Sequence, residues 1–170
     1  MTRVGFVACL CAISGALLGC DTDKVARLEK QNQELQAQIQ RQQAASDLDS
    51  QAKCSRDAKT FFMEGWQRDK DTLLLDYSSH YNKKENKCFV LVELHYNSHF
   101  AGSGGESWTN DMVLYDVYEN VKYGNFAENH YTYYKPTISN RDEFLSCEVS
   151  GRKCTTIQEF NSLAGPYMNN

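Results

Sequence analysis

The stretch Lys87–Asn97, KCFVLVELHYN, decides how this chain folds. Cys88, Val90, Val92, Leu94 and Tyr96 alternate with Phe89, Leu91, Glu93 and His95. A period of two places the first set on one face of a β-strand and the second on the other. The first face is expected to be buried. The second mixes apolar and charged groups and suits a partner unless another layer covers it. Upstream, TLLLDYSSHY (residues 72–81) reads as a second strand, joined through the polar stretch NKKEN as a β-hairpin with a longer loop. Downstream, a Gly-rich segment leads to DMVLYDVYEN, and residues 121–126 and 131–134 read as further strands.

Helical signals flank the sheet. Cys54, Ala58, Phe61, Phe62 and Gly65 recur on one face at helical spacing. At the C-terminal end, Ser139 or Asn140 is positioned to cap NRDEFLSC, and Thr156 with Glu159 forms a capping box before IQEFNSL. The expected fold class is therefore α+β: an antiparallel sheet of about 4–5 strands with N-terminal and C-terminal helices. All ten tyrosines, both tryptophans and every phenylalanine except Phe6 lie beyond residue 51, which marks residues 52–170 as one globular domain.

Residues 20–51 are different in kind. Val25, Leu28, Asn32, Leu35 and Ile39 follow a 3, 4, 3, 4 spacing, a heptad seam within residues 24–43. Valine and isoleucine at a with leucine at d favours a two-stranded parallel coil, and a single Asn at a sets register. Lys24 and Glu29 fall where opposite charges pair between chains. The seam covers about two and a half heptads and fits a homodimer or a polar, partly helical spacer equally. Either way, a helix over these residues makes a stalk about 30 Å long at 1.5 Å per residue.

Residues 1–19 carry one positive charge, Arg3, then an apolar run of about 15 residues, short of the roughly 20 that span a bilayer. They read as a signal peptide. The ending Leu17-Leu18-Gly19-Cys20 resembles the lipobox of bacterial lipoproteins. That resemblance implies cleavage before Cys20, acylation of its thiol and amino group, and attachment to the cell membrane by lipid alone. It also gives Asp21 a meaning: in Gram-negative lipoproteins an Asp after the acylated cysteine implies retention at the inner membrane, facing the periplasm. The segment YSSHYNKKENKCFVLVELHY resembles uncharacterised exported proteins of bacteria, a likeness that carries no activity.

Of seven cysteines, two leave with the leader and Cys20 takes the lipid, leaving Cys54, Cys88, Cys147 and Cys154 in an oxidising compartment. Four cysteines allow three connectivities. Cys54 lies on the helix stripe and Cys88 on the buried strand face, while Cys147 and Cys154 bracket a Ser150-Gly151 turn, so the expected pairs are 54–88 and 147–154. A zinc site is the alternative, but the four include no CxxC. No metal and no cofactor is implied.

With Arg3 gone, the net charge of −4 becomes −5, which excludes a general attraction for nucleic acid. His95 and His99 form an HxxxH, but on a strand residues four apart sit about 13 Å from each other and cannot share an ion. His80 and His130 carry no spacing signal. Ser103 lies in AGSGG, a loose variant of the nucleophile elbow followed by a strand where a helix is required. The same glycines lack the Lys-Ser/Thr ending of a phosphate loop. Glu93, Asp116 and Glu119 show no paired arrangement. No catalytic residue is therefore assigned. Gly102, Ser103, Gly104 and Gly105, with Glu93 and His95, form the candidate binding surface.

These readings lead to a membrane-anchored lipoprotein of the cell envelope that binds another envelope protein or component. An envelope hydrolase is the alternative, and an immunity, exclusion or inhibitor lipoprotein is a third reading.

Overall fold

A computed structural model describes residues 22–98, 105–134 and 138–169. It is α+β, with a six-stranded antiparallel sheet and two helices. The helix α1 spans Thr22–Gly65, the strands are β1 (Thr72–Asn82), β2 (Lys87–Ser98), β3 (Gly105–Asp116), β4 (Val121–Tyr133), β5 (Ser139–Val149) and β6 (Arg152–Lys153), and α2 spans Ile157–Met168. The strands lie in chain order, each paired with the next. The chain divides into two compact units, Met1–Ser46 and Asp47–Asn170.

In the first unit, the described residues 22–46 are helical and solvent-exposed. Val25, Leu28, Leu35 and Ile39 are 50–58% exposed, an apolar stripe along an otherwise polar helix.

In the second unit, both faces of the sheet carry a core. On the first face Cys88, Val90 and Val92 pack with Leu75 and with Cys54 and Ala58 of α1. Phe61, Phe62 and Trp66 extend that contact, with Phe62 stacked on Tyr77 at 4.4 Å and Trp66 edge-on to Tyr115 at 5.7 Å. The disulfide Cys54–Cys88 joins this helix to β2, and Lys83 in the β1–β2 turn pairs with Asp47. On the second face Phe89, Met112, Leu114 and Phe126 pack with Phe160 and Ala164 of α2. Asn82, itself buried, donates to the Pro166 carbonyl at 2.8 Å and ties the β1–β2 turn to the end of α2.

Local chemistry sets the boundaries. Thr156 accepts the Glu159 N–H at 3.2 Å and starts α2. The Glu159 carboxylate accepts the Thr155 N–H and hydroxyl, and these bonds hold it below the usual carboxylate range. Ser150 and Gly151 both have positive φ, 50° and 78°, as a two-residue hairpin turn requires, and Cys147–Cys154 closes across that hairpin.

Two expectations are corrected. NRDEFLSC is not a helix: residues 139–149 form β5, because β4 offers a complete ladder and partners for Asp142, Glu143 and Ser146. Tertiary pairing outweighs a weak capping signal there, and a register shift opposite Ala127/Glu128 leaves Leu145 as the extra residue. Residues 121–133 are one strand where two short ones were expected, and the unexpected β5 and β6 bring the sheet to six strands. The second layer that the reading of the Phe89 face left open is present over part of it: α2 covers Phe89, which is fully buried.

Candidate functional site

The cover over the second face is partial, and the strand register shows where it stops. Glu93, Met112, Phe126 and Cys147 are successive cross-strand partners, and the last three belong to the core under α2. The next row is His95, Asn110, Glu128 and Phe144, and the one after it is Asn97, Trp108, His130 and Asp142. Across these two rows the face turns from apolar to aromatic and charged.

The side chains there form a connected set. Trp108 stacks on His130 with centroids 3.9 Å apart, and His95 lies tilted at 5.6 Å from Trp108. His130 faces a carboxylate at each ring nitrogen, Asp142 2.7 Å from Nδ1 and Glu128 3.5 Å from Nε2. Glu93 Oε1 lies 3.1 Å from His95 Nε2, yet that buried nitrogen has no aligned hydrogen bond. Its cross-strand partner Asn110 is 7% exposed and its Oδ1 is likewise unpartnered. An unpartnered amide oxygen and a histidine nitrogen whose near neighbour is a carboxylate, on cross-strand partner residues among acids and beside a tryptophan, make a surface matched to a donor-rich or cationic group.

The opposite face at the same end of the sheet is a hydrogen-bonded network. Thr109 donates to Asn129 at 2.6 Å, Asn129 to the Tyr131 oxygen at 3.1 Å, and Tyr131 to Glu143 at 2.8 Å. The bond to Glu143 raises the Tyr131 phenol above its usual range. Beside this network Asp111 sits between Leu94 and Ala127, and burial pushes its carboxyl above the ordinary 3.8. A carboxyl that holds its proton more tightly in the folded chain contributes most below its unfolded pKa, and that contribution is lost as pH rises through the folded value. Asp111→Asn should therefore raise the melting temperature at pH 7 and leave it unchanged at about pH 3. Thermal unfolding of the two proteins at both pH values measures this.

The expected site residues are only partly brought together. Glu93 and His95 belong to the surface just described. Gly105 is the first residue of β3 and not a loop tip: a Cβ there would stand 2.5 Å from the Thr132 carbonyl oxygen, so the close approach of β4 requires glycine. Gly102, Ser103, Gly104 and His99 lie outside the described residues, as does Cys20. Asp116 and Glu119 share Lys87, at 2.7 and 2.6 Å, and Asp116 also accepts the Tyr118 N–H. These bonds raise the Lys87 ammonium well above its usual range, and their effect is to fix the β3–β4 turn. His80 lies on the second face beside Phe89, with a buried and unpartnered Nε2.

Sequence reading missed Trp108, Asn110, Glu128 and Asp142, and weighed His130 without assigning it a place. The parity of Trp108 and Asn110 along β3 was available from the alternation; their meeting with β4 and β5 depends on register, which no local signal carries. Among the described residues, no group of three or more His, Cys, Asp and Glu is disposed to hold a metal ion. Two shallow depressions, of about 390 Å³ beside Arg152 and Gln158 and about 360 Å³ beside Phe61 and Trp66, lie away from the His95–Trp108–His130 set. No family model, curated protein or solved structure matches the chain.

Proposed function

We propose that this protein is a lipid-anchored binding module of the bacterial envelope. The observation that carries the reading is the open end of the second sheet face, where His95, Trp108 and His130 lie among Glu93, Glu128 and Asp142. Both nitrogens of His130 face carboxylates and its ring lies on Trp108. Such an arrangement favours holding a cationic or hydrogen-bond-donating partner group. In this reading Cys20 carries the lipid, residues 20–51 are a helical stalk, and Asp21 keeps the protein at the inner membrane of a Gram-negative cell. The exposed stripe of Val25, Leu28, Leu35 and Ile39 supports pairing of two stalks, with Asn32 setting register.

Two measurements test the reading separately. Cys20→Ala should leave an unprocessed, unlipidated chain; a variant that still matures and stays on the membrane removes the anchor. Crosslinking in intact cells followed by mass spectrometry should capture an envelope partner through the domain, and Trp108→Ala should reduce its yield about tenfold, the loss typical of a buried aromatic anchor. Capture unaffected by Trp108→Ala would move the binding surface elsewhere.

A further inference from the structure

The two edges of the sheet are treated differently. In an antiparallel ladder each residue points its N–H and C=O to one side, and successive residues alternate. The Cys88 carbonyl accepts from Val117 on the β3 side, so Leu75, Tyr77, Ser79 and Tyr81 of β1 point their backbone groups outward. Three of the four have one backbone group capped by a side chain. Arg68 donates to the Leu75 carbonyl at 2.8 Å, the Tyr77 N–H donates to Asp76 at 2.8 Å, and the Tyr81 N–H donates to Gln51 at 2.9 Å. Side chains thus compete with another strand along this edge.

The β5 edge differs. The same alternation, carried through the register of β3 and β4, turns Arg141 and Glu143 toward β4 and leaves the backbone of Asn140, Asp142 and Phe144 facing outward. β6 pairs only with Glu148 and Val149. Among the described residues no side-chain hydrogen bond reaches the outward groups of these three residues. Around them Ile138, Phe144 and Leu145 are 74%, 45% and 48% exposed. An uncapped strand edge rimmed with apolar side chains is a template for strand addition.

We propose that an extended segment of a partner protein adds to this edge, with a lysine or arginine beside Asp142. The inference rests on the reading of the domain as a binding module and specifies how it binds. The side chains of Asn140, Asp142 and Phe144 all lie on the second face, so an added residue paired with Asp142 prolongs the row Trp108, His130, Asp142. A cation there meets Asp142 directly, and an apolar residue two positions along meets Phe144. A second copy of this chain fits less well. Antiparallel self-pairing that matches Arg141 with Glu143 sets Asp142 against its own copy, and like charges directly opposite are destabilising.

The test uses the full chain and a capped heptapeptide, Thr-Val-Thr-Lys-Thr-Val-Thr, with hydrogen exchange read by mass spectrometry. Saturating peptide should slow exchange of the amides of residues 139–145 by about tenfold. Asp142→Lys should weaken binding about tenfold, as should replacing the peptide's lysine with glutamate. Asn140→Pro should do the same, since it removes an outward N–H and leaves the β4 ladder intact. Unchanged exchange in β2 and β3 shows that the variants remain folded. Peptide binding indifferent to Asn140→Pro, or no binding at all, overturns the inference and leaves the binding module to be judged by in-cell crosslinking. Protection of residues 139–145 that grows with protein concentration and without peptide assigns the edge to a second copy, and overturns it too.

Discussion

Truncating Phe89 to alanine should lower the unfolding free energy by about 3–5 kcal/mol, most of the margin of an ordinary domain. The ring is wholly buried and meets Tyr123 edge-on at 5.0 Å and Tyr167 at 5.1 Å, one residue from a strand and one from α2. Alanine leaves a void that β2, β4 and α2 cannot all close upon, because each is held by its own ladder or helix bonds. Urea unfolding measures the loss as a shift in midpoint at constant slope. Leu73→Ala on the exposed side of β1, 54% accessible, is the control and should change stability by no more than about 0.5 kcal/mol. A loss below about 1 kcal/mol at Phe89 would mean that α2 does not seal this face.

The second large effect separates the two disulfides. Cys54 and Cys88 are 34 residues apart, Cys147 and Cys154 only 7. The chain-entropy relation gives about 3.8 kcal/mol for the longer loop and about 2.4 kcal/mol for the shorter. Both sulfurs of the first pair are buried between α1 and the sheet, so replacing them with alanine also removes packing atoms. The double variant Cys54→Ala/Cys88→Ala should thus be the less stable of the two double variants in the same urea titration. The reverse order would show that the β5–β6 hairpin needs its bond more than α1 needs its own.

The alternation in KCFVLVELHYN specified β2 and both its faces, and the helical spacing of Cys54, Ala58, Phe61 and Phe62 specified the part of α1 that packs on the sheet. Local periodicity is sufficient for such features because the repeat of an element is written in consecutive residues. Two things escaped it. Residues 140–147 carry a helix-start signal and a mixed apolar pattern, and only the presence of β4 makes them a strand. The site residues Trp108, Glu128, His130 and Asp142 are separated by up to 34 positions, and a register slip of one residue would turn any of them to the other face. The cover over Phe89 was hidden for a related reason: an alternating strand looks the same whether its second face meets water or a helix.

The strand order, each neighbour in space also the neighbour in sequence, bears on how the chain reaches this structure. Every ladder closes through a short connection, so the loop-closure entropy lost at each step is as small as an antiparallel sheet permits. A chain delivered N-terminus first can then assemble the sheet hairpin by hairpin, with no strand waiting for a distant partner. Among the described elements that follow the sheet, α2 must return across it. Its docking on Phe89 and Phe126 is the last step for which the chain is long enough, and the slowest segment of folding should lie there rather than in the sheet.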